Sequence, residues 1–178
     1  MAVQERSEVG SKRATSIQRT SDRELVITRT FNGPPHIVFD AWTRADFVRR
    51  WFAPKSLGVT MASCEADVRV GGTYRYVLDT TANGRCAFSG EYQEITPPSR
   101  LVYTTFFEPQ GLGRVPELPA AVVTVTFEER DGKTYLTSRE LYPSKEVLDI
   151  AIASGMEPGI HVTMDQLDEI VASEAARS

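Results

Sequence analysis

Residues 73–107 read TYRYVLDTTANGRCAFSGEYQEITPPSRLVYTTFF, and their hydrophobic pattern decides the fold. Tyr74, Tyr76 and Leu78 alternate with Arg75, Val77 and Asp79, so one face of a strand carries two phenols and a leucine. Asn83-Gly84 is a strong short hairpin signal. Beyond it, Cys86, Phe88, Gly90 and Tyr92 share a face opposite Ala87, Ser89, Glu91 and Gln93. Pro97-Pro98 turns the chain into a further strand, Arg100–Phe107.

The period of two extends in both directions. Upstream, Val59–Val68 is a strand broken by Gly71-Gly72. Downstream, Glu108–Pro119 is a loop rich in Pro and Gly. Ala120–Arg130 then puts Val123, Val125 and Phe127 on an apolar face, and Asp131-Gly132 turns it into Lys133–Tyr142. Six consecutive strands joined by short turns form an antiparallel meander.

Helical periodicity flanks the meander. Leu25–Phe31 is a strand stopped by Asn32-Gly33-Pro34-Pro35. The stripe Ile37, Val38, Ala41, Trp42, continued by Phe47, Val48, Trp51 and Phe52, predicts one or two short helices over residues 35–52. Val147–Ile152 is a short helix, interrupted around Gly155–Gly159. Ile160, Met164, Leu167, Ile170 and Val171 mark a longer amphipathic one. The expected architecture is α+β, with a curved seven-stranded antiparallel sheet around a long C-terminal helix and two short helices between strands 1 and 2. Six strands about 4.8 Å apart span roughly 24 Å, while one helix covers about 10–12 Å. Side chains must fill the difference or leave a cavity, which points to ligand binding.

Composition bounds the function classes. The 178 residues, 41% hydrophobic and 25% charged, suit one domain. Twenty basic against 24 acidic side chains give a net charge of −4, against a dedicated nucleic-acid binder. Two cysteines, Cys64 and Cys86, make neither a disulfide scaffold nor a zinc site; no metal or other cofactor is expected. No apolar run is long enough to insert in a membrane, nor does the start read as a signal peptide, so the expected compartment is the cytoplasm. Residues 1–21 lack periodicity, and Arg6, Lys12, Arg13 and Arg19 outnumber Glu5 and Glu8. They read as a disordered tail ahead of a domain over 22–173, with 174–178 a frayed end.

The segments AWTRADFVRRWFAP, VRVGGTYRY, GEYQEITPPSRLVYT, VTVTFEERDGKTYLT and GMEPGIHVTMDQLDEIV resemble one family throughout. The chain is similar to the SRPBCC, or START-like, superfamily with its helix-grip fold, in the branch of homologues of the C-terminal domain of the heat-shock-protein-90 ATPase activator. The most telling pieces are the Trp51-Phe52-Ala53-Pro54 helix exit, the Gly71-Gly72 break and the Pro97–Leu101 turn. The resemblance implies a pocket between sheet and C-terminal helix, in a superfamily of ligand carriers, cyclases, resistance proteins and co-chaperone domains. Where the family often has Trp after the Gly that opens the last helix, Ile160 follows Gly159 here. A smaller residue there enlarges the pocket or repacks it.

Candidate ligand-binding residues are Tyr74, Tyr76, Leu78, Phe88, Tyr92 and Phe127 on the concave faces, with Trp51 and Phe52 at the helix exit. Ile160 and Met164 on the last helix and Ser138 and Glu140 on the last strand complete the set. The competing reading of these aromatics is ordinary core packing. Glu140 shares a face with Leu136 and Ser138; pointing inward it would be desolvated with a raised pKa, unless an Arg or a Tyr hydroxyl partnered it. In the competing reading Leu141 and Tyr135 face inward and Glu140 meets water. Glu140 and His161 are the candidate acid–base residues, with His161 also suited to a surface pair with Asp165 four residues on. His36 has a weaker claim, Cys86 reads as an inert buried thiol, and Asp165, Asp168, Glu169 and Glu174 read as a solvated helix face.

Three functions follow. The leading one is binding of a small apolar or aromatic molecule under the C-terminal helix. The second is a cyclase- or hydrolase-like enzyme using Glu140 or His161 with a tyrosine. The third is a co-chaperone-like interaction module, for which a chaperone partner fits less well because only one domain type is present. The edge strands of a meander also invite a homodimer.

Overall fold

A computed structural model describes residues 14–81, 84–108 and 120–178. Eight strands form one antiparallel sheet: β1 (Thr15–Arg19), β2 (Glu24–Phe31), β3 (Val59–Ala66), β4 (Thr73–Thr80), β5 (Gly84–Thr96), β6 (Arg100–Glu108), β7 (Ala121–Arg130) and β8 (Lys133–Leu141). Among the described residues there are four α-helices: α1 (Pro35–Thr43), α2 (Ala45–Trp51), α3 (Lys145–Ala153) and α4 (Met156–Arg177), and a 3-10 turn follows α2 at Lys55–Leu57. Strands β3 to β8 run as the expected meander, and β2 pairs with β8, giving the order β1-β2-β8-β7-β6-β5-β4-β3. The arrangement is consistent with a helix grip, with eight strands instead of seven.

The extra strand is the first correction. Thr15–Arg19, assigned by sequence to a disordered tail, pairs in register with Leu25–Arg29. Only Ile17 is strongly apolar there, so alternation barely signals the strand. It is held instead by polar contacts: the buried Arg29 donates to Thr15 Oγ1 at 3.0 Å, and Arg19 pairs with Asp149 of α3 at 2.6 Å. Residues 1–13, the rest of that tail, lie outside the described residues, as do Asn83 of the first hairpin and 109–119 of the Pro- and Gly-rich loop.

The second correction concerns the last helix. Its expected break at Gly155–Gly159 shrinks to Ser154-Gly155, where Gly155 adopts φ +86° and separates the two helices. Pro158 sits in the first turn of α4, where a missing N–H breaks no helical hydrogen bond. The helix also continues through the expected frayed end as far as Arg177.

Packing follows the apolar stripes. Leu167, Ile170 and Val171 of α4 meet Val38 and Phe39 of α1, Val48 and Trp51 of α2, and the sheet residues Phe31, Val125 and Leu136. A second cluster gathers Leu25, Ala121, Tyr142 and Leu148 under α3. Ser144 caps α3 by accepting from Val147 N at 3.2 Å, worth about 1 kcal/mol. Gln166 ties α4 to the α2 exit: its side-chain amide donates to Trp51 O and Ala53 O, both at 2.8 Å, and accepts from Lys55 N.

Candidate functional site, an aromatic cavity closed by the last helix

Strands β4 and β5 build the main wall. Their register opposes Tyr74 to Gly90, Tyr76 to Phe88 and Leu78 to Cys86, so two alternating patterns turn one face inward together. Tyr74 lies across Gly90 and donates to Thr104 O on β6 at 2.8 Å, and Glu91 N bonds the Thr104 hydroxyl at 3.0 Å. A bulge between Tyr92 and Glu94 adds to the bend. The glycine thus lets one strand's aromatic reach over the next, which curls the sheet.

Inside that curl is a cavity of about 360 Å³, within the size range of small-molecule sites. Trp42, Trp51 and Phe52 close one side. Phe52 stacks edge-on against Tyr76 at 4.9 Å and Phe88 at 5.5 Å, while Tyr74 has Tyr76 at 4.9 Å and Tyr103 at 5.6 Å. Ile160, Thr163 and Met164 of α4 also line it, with Met156 and Gly159 at the helix start. Both indoles are satisfied: the buried Trp51 Nε1 donates to Ala41 O at 2.8 Å, and the half-buried Trp42 Nε1 to Tyr103 Oη at 3.4 Å. Burial raises the pKa of Tyr74, Tyr76, Tyr92 and Tyr103, so all four are neutral phenols.

Of the sequence candidates, Trp51, Phe52, Tyr74, Tyr76, Leu78, Phe88, Tyr92, Ser138, Glu140, Ile160 and Met164 all line this cavity. Phe127 does not. It is on the same sheet face but further along, packed edge-on against Phe39 at 5.2 Å and Trp42 at 6.4 Å, where α1 fills the space. Cys86 lies in the wall with its thiol pKa raised by burial, as expected of an inert thiol.

Glu140 faces inward. Ser138, two residues before it, is 2% exposed, and Leu141 is 43% exposed, so Leu141 turns outwards. Tyr135 is also on the outer face, stacked under Arg130 at 4.0 Å. Tyr142 Oη donates to Glu140 Oε2 at 2.8 Å. Burial raises the Glu140 pKa and the hydrogen bond from Tyr142 lowers it, with burial the larger effect. The candidate partner His161 is exposed on the outer side of α4, as is His36 on α1, so a Glu140–His161 acid–base pair is not assembled. Asp165 does not pair with His161 either. With Asp168 it clamps the buried Arg29 from β2, correcting the expectation of a wholly solvated acidic face.

Sequence reasoning missed Trp42, Tyr103 and Tyr142 as cavity residues. Tyr142 carried the usable signal, since it is two residues from Glu140 and so on the same strand face. Among the described residues, no group of three or more His, Cys, Asp or Glu could hold a metal ion, and no helix is long and apolar enough to cross a membrane.

Several solved structures share this architecture. A Mycobacterium smegmatis protein superimposes with a TM-score of 0.78 at 23% identity, over 88% of this chain and 96% of its own. A Nitrosomonas europaea protein gives 0.76 at 22% identity, over 89% and 99%. A Staphylococcus epidermidis protein gives 0.72 at 28% identity, over 89% and 94%. Among curated proteins none matches. The family described as "Activator of Hsp90 ATPase homolog 1-like protein" matches residues 32–172, which hold all the cavity residues but Ile27 of β2, and the chain belongs to that family.

Proposed function

We propose that the protein binds a small apolar or aromatic molecule in the cavity between its curved sheet and α4. The observation that carries this reading is the aromatic-walled space of about 360 Å³ in a core otherwise filled by large side chains. A ligand entering this space takes its apolar surface out of water and gains dispersion contacts with the surrounding rings.

Native mass spectrometry of the freshly purified protein, set against its denatured mass, tests the reading. A co-purifying species lost on denaturation supports it and names the chemical class. In parallel, an aromatic ligand present at a hundred times its Kd stabilises by about 2.7 kcal/mol, a rise in Tm of about 5–10 °C for a domain of this size. Tyr76→Ala should reduce that rise. A clean ligand-free mass together with no thermal shift from any apolar or aromatic compound overturns the reading.

A further inference from the structure

Glu140 is the one charged side chain lining the cavity among the described residues; no Lys, Arg or His faces it there. Its Oε2 receives the Tyr142 hydroxyl at 2.8 Å, and no described residue donates to Oε1. A carboxylate already receiving a phenolic proton offers only acceptor capacity to whatever enters. The groups around it add no opposing charge. Tyr74 of β4 and Tyr103 of β6 are near enough to feel its field, and both are held neutral by burial. Cys86 and Tyr92 of β5 are likewise neutral. Its register neighbours are Leu25 on β2 and Val123 on β7, and α4 contributes Ile160, Thr163 and Met164.

On the cavity reading above, we propose that the occupant is a cationic amine, an apolar or aromatic body bearing one protonated nitrogen that pairs with Glu140. Three observations converge on a cation. The open Oε1 calls for an N–H donor, and a charged donor makes the stronger bond. Tyr74 and Tyr103, meeting edge-to-face at 5.6 Å, are the aromatic rings close enough to feel the Glu140 charge, and aromatic rings near a carboxylate suit an ammonium group. The carboxyl is disfavoured as an anion by burial alone, and an incoming ammonium removes that penalty. An anionic ligand meets repulsion. A neutral donor can hydrogen-bond Oε1 but brings no charge to offset the buried carboxylate.

Three probes of one shape decide the matter: naphthylethylamine, naphthylethanol and naphthylacetate, titrated calorimetrically into the full chain at about pH 7.5, where the amine is protonated. The amine should bind at least tenfold more tightly than the alcohol, with the acetate weakest. Glu140→Gln should cut amine affinity about tenfold while the alcohol moves less than threefold. In the wild type, lowering the pH towards 5 should erode the preference for the amine as the carboxyl takes up a proton, a readout that needs no substitution. Wild-type protein that binds the alcohol or the acetate as tightly as the amine, or Glu140→Gln that keeps the tenfold preference, overturns this proposal and leaves the cavity reading standing. Binding of none of the three overturns this proposal, while the cavity reading falls only with a ligand-free native mass and no thermal shift from any apolar or aromatic compound.

Discussion

Gly90→Ala tests how the sheet is made to curl around the cavity. A Cβ at Gly90 would stand 1.8 Å from Thr104 O and 2.8 Å from a Tyr74 ring carbon. The first contact is backbone, so β5 and β6 would have to part by roughly an ångström or more, and the Tyr74 ring would lift off β5. Overfilling a packed site costs about 1–3 kcal/mol. Losing the 2.8 Å bond from Tyr74 to Thr104 O adds about 1 kcal/mol. The expected total is about 2–4 kcal/mol, a large part of the 5–15 kcal/mol typical of a domain. Urea unfolding followed by circular dichroism reads this as a midpoint lower by about 1 M, taking a slope of about 2–3 kcal/mol/M. Tyr74→Phe alone should cost about 1 kcal/mol. The two changes remove the same bond, so the double variant should cost less than their sum. A Gly90→Ala protein within about 0.5 kcal/mol of wild type, or full additivity with Tyr74→Phe, would refute the account of the curl.

Burial raises the Glu140 pKa, so the folded protein keeps a proton that the unfolded chain releases at lower pH. Its contribution to stability is therefore greatest below the unfolded carboxyl's pKa and is lost as the pH rises through the folded value. Glu140→Gln should be the more stable protein at neutral pH and lack that part of the slope; parallel plots of Tm against pH would count against an enclosed carboxyl. Arg29 is 7% exposed and bridges β2 to Asp165 and Asp168 of α4. Arg29→Ala should cost about 2 kcal/mol through the lost packing and charged hydrogen bonds of the buried guanidinium, since Asp165, 67% exposed, stays in water, a fall in Tm of about 4–8 °C, and a change under 2 °C would show the clamp to be idle. Ile160→Trp should fill cavity space, preserving the ligand-free Tm while abolishing the ligand-induced rise. An undiminished rise would place the occupant elsewhere.

What the sequence made legible, and what it hid, follows from the range of the interactions involved. Period two assigns a residue to a face, and it placed Tyr74, Tyr76, Leu78, Phe88 and Tyr92 together because register preserves faces across a hairpin. It does not say what lies above that face, which is why Phe127 was grouped with the cavity although α1 covers it. Helical rotation explains His161: adjacency to Ile160 suggested the apolar stripe, yet one residue turns the side chain about a quarter of the way round, and Ile160, Met164 and Leu167 already define the inner side. Strand β1 was hidden because polar contacts hold it to an edge and side-chain alternation does not mark it. Glu140 falls between these cases. Its face could be read from Leu136 and Ser138, but the choice between water and cavity needed the outward turn of Leu141 and the hydroxyl of Tyr142. That choice bears most on the proposed function, because an inward carboxylate without a protein counter-charge would let the proposed site select among ligands by charge.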